Sequence, residues 1–197
     1  MSGENKTIIT INREYGAGGR SLASILSDRL GIPYYDQEFV VKTMAESGYD
    51  EEVVEREGEE MSRTSQVLNN FLNSSVSYSS SYDAIYAAEK KVILKLVEEP
   101  CIIVGRCANM ILKDAGIDTM SIYLHAPMDK RLKRAIEIRE EGEEPTAKLV
   151  EDHDKKRRTF YKQYTGSELY DASNYTFCFD VGKISIPQCA DIILGAL

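Results

Sequence analysis

The chain has only two histidines and four cysteines, and neither set is arranged to hold a metal. Cys101, Cys107, Cys178 and Cys189 show no C-x-x-C spacing. Cys101 and Cys178 lie in apolar, strand-like runs, so buried free thiols are expected rather than disulfides or metal ligands. His125 and His153 have no helical partner for a metal site and read as structural histidines. No nucleophile–histidine–acid triad is evident. Positive charge is also short: 24 Lys and Arg against 32 Asp and Glu leave a net charge of −8. That argues against general nucleic-acid binding, which needs a broad basic surface, so any anionic ligand must be met by locally clustered cations. No apolar stretch approaches a membrane span and the N-terminus is polar, so no membrane partner is expected and the cytoplasm is the default location. There is no clear internal repeat.

What remains is an ordinary globular composition. At 197 residues, 43% hydrophobic and 28% charged, the chain suits one domain with a substantial core. Residues 8–11, 101–104, 121–124 and 175–179 read as buried strands, with 32–35 a weaker fifth. These runs are apolar on both faces, as in a parallel sheet covered by helices on both sides. Leu22, Ile25, Leu26 and Leu30 repeat at helical spacing up to Gly31, a natural stop. Ile85, Ala88, Val92, Leu96 and Val97 form a second stripe ended by Pro100, and Ile186, Ala190, Ile193 and Leu197 mark a last helix. The alternation implies a doubly wound α/β domain. Two regions interrupt it. Residues 37–99 carry an acidic run (Asp50 to Glu60), read as a solvated helix face, and a Ser/Tyr-rich stretch (Ser74 to Tyr82). There Tyr78, Tyr82 and Tyr86 allow a helix suited either to a homodimer surface or to the core. Residues 128–165 are highly charged and helical apart from a break near Gly142–Pro145.

The richest signal is the strand ending in Arg13, followed by Gly16-Ala17-Gly18-Gly19-Arg20-Ser21 and an amphipathic helix. Glycines let backbone N–H groups converge on an anion, and a helix N-terminus adds its positive dipole end. The backbone amides of Tyr15 to Ser21 are therefore candidates to cradle phosphates, with Arg13 or Arg20 supplying charge. The strict G-x-x-x-x-G-K-[ST] pattern is not met. Further cations cluster around it. Arg106 follows Gly105 at the carboxyl end of a buried strand, where ligands bind in open parallel sheets. Arg131 and Arg134 share a helix face, as do Asp154 and Arg157. Arginine forks suit phosphate oxygens, and Lys130 to Arg134 and Lys155 to Arg158 concentrate base in an acidic protein.

Taken together, ITINREYGAGGRSLASILSDRLGIPYYDQE, CIIVGRCANMIL, IYLHAPMDKRLKR and the DHDKKRRTFY region resemble the cytidylate-kinase-like family, a branch of the P-loop nucleoside monophosphate kinases. The resemblance covers nearly the whole chain. It implies a three-layer P-loop NTPase fold with a five-stranded parallel sheet flanked by helices, a monophosphate-binding insertion within 37–99 and a lid at 128–165. The implied activity is ATP-dependent phosphoryl transfer to a nucleoside monophosphate such as CMP or dCMP, with ATP and Mg²⁺ as cofactors and small nucleotides as partners. The glycine loop, Arg13 and Gly16 to Ser21, would hold ATP. Asp36, Lys42, Arg106, Asp154 and Arg157 would meet the acceptor, and Arg131 and Arg134 would close on the transferred group. The departures are specific. Laid without gaps, Gly19 takes the P-loop Lys position and Arg20 the Ser/Thr position. A shift of one puts Arg20 on the Lys, Ser21 on the magnesium ligand and Glu14 on the first glycine. Cys107 replaces the aspartate of the family's G-R-D motif, and Val150 stands where an arginine is usual. Two other readings remain: a non-catalytic nucleotide-binding or regulatory protein, and a kinase for another small acceptor.

Overall fold

The computed structural model describes residues 6–36, 81–138 and 145–197. The acidic run, Lys42, Tyr78 and Gly142 lie outside the described residues. In chain order the elements are β1 (Ile8–Arg13), α1 (Gly19–Leu30), β2 (Tyr34–Tyr35), α2 (Ser81–Leu96), β3 (Cys101–Val104), α3 (Ala108–Asp114), β4 (Met120–His125), α4 (Met128–Ile138), α5 (Ala147–Thr165), a short 3₁₀ turn (Ala172–Asn174), β5 (Phe177–Asp180) and α6 (Ile186–Leu194). The five strands form one parallel sheet in the order β2-β3-β1-β4-β5.

The period of two along a strand divides the core. Ile9 and Ile11 of β1, Ile102 and Val104 of β3, and Ile122 and Leu124 of β4 pack on one face with Leu22, Ala23 and Leu26 of α1 and Ile186, Cys189, Ala190 and Ile193 of α6. Ile8, Cys101, Ile103 and Tyr123 face the other way, against Ile93 of α2 and Val97 just past it, Ala108, Ile111 and Leu112 of α3, and Tyr161 of α5. The connection after β1 thus runs to one face and the connection after β3 to the other. Those neighbouring strands open a crevice at their carboxyl ends.

The helix ends follow their local chemistry. Gly31 caps α1 in the left-handed region (φ 66°) and its N–H donates to the Ser27 carbonyl. Ser185 and Gln188 make a reciprocal capping box at the start of α6. Three expectations are corrected. Leu197 is not part of the last helix's buried stripe: α6 stops at Leu194 and Leu197 is exposed. Among the residues of α2 whose burial is described, Ala88, Glu89 and Ile93 are buried, as is Val97 just past its end, with Val92 and Leu96 only half-buried. A hydropathy stripe misses Glu89 because its charge is matched inside the fold rather than in water. Cys178 is exposed, since β5 is an edge strand and this residue points off the sheet, while the other three cysteines are buried as expected. Tyr86 stacks on Tyr164 of α5, with ring centroids 4.3 Å apart.

Ile193 is fully buried and its neighbour Ile192 is 43% exposed. Ile193→Ala should cost about 2–5 kcal/mol of unfolding free energy and Ile192→Ala less than about 0.5, read by urea denaturation. Burial pushes the Cys101 thiol up to about 11, and Cys107 is raised by the same cause. At pH 8 a disulfide-exchange reagent should therefore titrate Cys178 quickly in the native protein and all four thiols only after denaturation.

Candidate active site

The crevice between β1 and β3 opens into a cleft of about 500 Å³, continuous with solvent. Its walls come from Asn12 and Arg13 at the end of β1, Gly105 to Cys107 after β3, Lys156, Arg157, Phe160 and Tyr161 of α5, and Leu169. Among the described residues, every ionised side chain in that lining is a cation: Arg13, Arg106, Lys156 and Arg157. In a chain of net charge −8 this is strong local segregation.

The glycine loop borders the cleft. Gly16 and Gly18 both take positive φ, 75° and 88°. The Ala17 N–H donates to the Glu14 carbonyl at 3.2 Å, closing a turn that needs a left-handed third residue. A Cβ on Gly16 would collide with the Arg131 carbonyl, and one on Gly105 with the Arg13 guanidinium. Gly18 caps α1 without any side-chain hydrogen bond. The cap residue thus places no side chain over the first-turn amides of α1, as an anion site at a helix N-terminus requires.

Arg13 lies across Gly19, whose Cβ would sit 3.1 Å from the Arg13 Cγ. An Arg134 guanidinium nitrogen stands 3.0 Å from where a Gly18 Cβ would be. Arg20 and Asp36 come together, Nε to Oδ2 at 2.7 Å. Ser21 is the third residue of α1 and half-buried.

Two residues expected to face ligand are engaged otherwise. Arg131 is buried; its Nε donates to the Ala126 carbonyl at 2.9 Å and lies 3.1 Å from Glu14 Oε2, and its Nη1 reaches the Tyr15 carbonyl at 3.0 Å and Asp154 Oδ2 at 2.6 Å. Asp154 is buried with it and accepts the Tyr15 N–H at 2.7 Å. Neither side chain lines the cleft. Two of the amides expected to cradle phosphate, those of Tyr15 and Ala17, are thereby already hydrogen-bonded.

Arg106 is buried against Glu89, Nη1 to Oε1 at 2.7 Å, and sits with Cys107 in a left-handed bend (φ 57° and 55°). Burial raises the Glu89 carboxyl above its ordinary range, and the Arg106 charge opposes that rise. Asn12 donates to Asn109 at 2.8 Å and Asn109 to the Tyr161 hydroxyl at 2.9 Å, so the cleft floor is a buried polar network. The Tyr15 ring stacks on His153 at 4.5 Å, and the Arg157 guanidinium lies 5.5 Å from its centre. Sequence reasoning missed Asn12, Glu89, Phe160 and Tyr161, and reached Lys156 only as a member of the Lys155 to Arg158 cluster. The i, i+4 spacing of His153, Arg157 and Tyr161 signalled a common face of α5, and Lys156 and Phe160 repeat it alongside.

Among the described residues no three His, Cys, Asp or Glu side chains gather as a metal site, and no helix is long and apolar enough to cross a membrane.

The same architecture occurs in several solved structures. An uncharacterized protein from Eubacterium ventriosum is 26% identical, with 97% of this chain and 98% of that one covered at a TM-score of 0.69. Shikimate kinase from Bacteroides thetaiotaomicron shares 12% identity over 96% and 97% of the two chains, at a TM-score of 0.55. Deoxyadenosine kinase from M. mycoides, solved with dCMP and dCDP, shares 16% over 96% and 98%, at 0.52. At these identities the two kinases establish the fold, that of P-loop kinases. No curated protein matches by sequence. The model of the cytidylate kinase-like family matches residues 8–183, and the chain belongs to that family.

Proposed function

We propose that the protein transfers the γ-phosphoryl group of ATP to a nucleoside monophosphate, CMP or dCMP in type. Membership of a kinase-like family and the P-loop kinase fold support a phosphotransferase. The observation that carries the reading further is the cleft beside the glycine loop, where Arg13, Arg106, Lys156 and Arg157 are the ionised lining residues among those described. Phosphoryl transfer is largely positioning and charge neutralisation, and an already ionised phosphate acceptor needs no general base.

In this reading the glycine-capped N-terminus of α1 and the Arg13 and Arg134 guanidiniums hold the ATP phosphates. Lys156 and Arg157 hold the acceptor phosphate from α5, and Arg106 meets it from β3. Glu89 balances the Arg106 charge, which leaves the other three cations to set the cleft's field. A magnesium ion fits this donor set. Such an ion keeps several waters and takes one or two protein oxygens besides phosphate oxygens, and the Ser21 hydroxyl stands at the start of α1 to be one of them. Bound there, it would offset charge between ATP phosphates. Lys42, outside the described residues, and Asp36 are proposed on the acceptor side from the family resemblance. A binding-only role has one observation in its favour: the Arg20 guanidinium is paired with Asp36 at 2.7 Å.

Coupled ADP release with ATP, Mg²⁺ and a panel of nucleoside monophosphates, against a no-acceptor blank, separates these readings. Acceptor-dependent ADP release with a cytidine nucleotide is expected. Release only with a different acceptor class would replace the substrate, and silence with ATP binding intact would leave a nucleotide-binding protein. Arg13→Ala should slow transfer at least about tenfold, a loss of roughly 1.4 kcal/mol of transition-state stabilisation. Unchanged turnover would remove Arg13 from the reaction.

A further inference from the structure

Helix α5 grips one residue of the glycine loop from two sides. Its Asp154 carboxylate takes the Tyr15 N–H at 2.7 Å, while His153 and Arg157, one turn apart, lie against the Tyr15 ring. The carboxylate is itself fixed. Its second oxygen receives Arg131 Nη1 at 2.6 Å, and the same nitrogen donates to the Tyr15 carbonyl at 3.0 Å. Both peptide groups flanking the Tyr15 Cα are thus bound by a buried ion pair from α4 and α5. Immediately beyond, Gly16 fits only because it has no Cβ to meet the Arg131 carbonyl. The next residue along α5 from Asp154 but one, Lys156, and then Arg157, line the cleft.

We propose that Asp154 is a positioning residue: through the Tyr15 peptide it sets the shape of the phosphate-binding loop and ties that loop to the cleft cations carried by α5. The inference rests on the reading of the glycine loop as an ATP-phosphate site. A side chain fully enclosed by Arg131 and a backbone N–H acts on ligand through the loop and not by contact. Its loss should therefore weaken ATP binding even with no acceptor present. A residue that touches the acceptor would instead affect acceptor binding alone.

Calorimetric titration of ATP with Mg²⁺, without acceptor, tests this in Asp154→Ala and Asp154→Asn, alongside hydrogen exchange of the peptide spanning Glu14–Gly19. Asp154→Ala should weaken ATP binding at least about tenfold and speed exchange at the Tyr15 amide, and Asp154→Asn, which keeps an oxygen for the Tyr15 N–H but loses the ion pair with Arg131, should fall between Asp154→Ala and the parent in both. ATP affinity within about twofold of the parent, with a loss confined to acceptor binding or with unaltered exchange, would overturn the proposal. Should Asp154→Ala fail to fold, Arg131→Lys replaces it. That variant keeps the charge but not the fork; faster loop exchange with weaker ATP binding is expected, and no change in either overturns the proposal. If the unsubstituted protein binds no ATP, the phosphotransferase reading falls, and exchange alone decides whether Asp154 shapes the loop.

Discussion

The fold around the glycine loop depends on one buried guanidinium. Arg131 joins two carboxylates, Glu14 and Asp154, to two carbonyls, Ala126 and Tyr15, across the end of β1, the start of the loop and both charged helices. One cation between two acids leaves an excess negative charge inside the protein. Backbone donors offset it: the Ala126 N–H serves Glu14 at 3.1 Å and the Tyr15 N–H serves Asp154. A buried ion cluster is tolerated only when its remaining lone pairs and protons find partners, and breaking such a pair typically costs about 3–5 kcal/mol. The cluster thus converts α4 and α5, highly charged helices that could have remained solvated, into fixed walls of the loop.

That commitment decides which cations are left to face a ligand. Arg131 is spent on structure and Arg106 is half-balanced by Glu89, whose carboxyl is raised by burial and held down by that same arginine. Arg13, Lys156 and Arg157 remain to set the field of the cleft, and they come from β1 and α5, which are joined by the Asp154–Tyr15 bond as well as by the packing of Tyr161 on the sheet. Charge segregation here follows from fold connectivity. Clustered bases on α5 divide by helical angle into a solvent-facing pair, Lys155 and Arg158, and a cleft-facing pair, Lys156 and Arg157.

The parallel sheet and its helices were legible because parallel strands buried on both faces must be continuously apolar. Residues 101–104 were placed to the residue, and 8–11 and 121–124 were extended by one or two positions at their ends, where Arg13 and His125 are polar at the rim. The glycine loop and Arg106 were legible for a related reason, since a left-handed turn at a strand's carboxyl end leaves a residue-type signature. Hydropathy could not reveal partners inside the fold. Glu89 and Asp154 look like solvent-facing acids on charged helices, and only three-dimensional proximity to Arg106 and Arg131 explains their burial. Leu197 and Cys178 failed in the opposite sense, being apolar residues at a chain end and a sheet edge where no second layer covers them.

The absence of a lysine from the loop has a geometric counterpart. In the ungapped register the strict pattern asks for glycine at position 13 and lysine at position 19, and this chain has Arg13 and Gly19. Those two residues touch: a Cβ on Gly19 would press within 3.1 Å of the Arg13 side chain, which continues over Gly105. Cation and glycine have exchanged places at the two ends of the loop, so the charge reaches the loop from the strand rather than from the helix. A lysine at 19 would compete with Arg13 for the same space, and a side chain at 105 would displace its guanidinium. Arg13, Gly19 and Gly105 therefore constrain one another as a set. An arginine rooted in β1 also differs from a lysine on the helix in what it can present: a planar fork of several donors rather than a single rotatable ammonium. The loop has kept its positive charge while changing the geometry in which an anion would meet it.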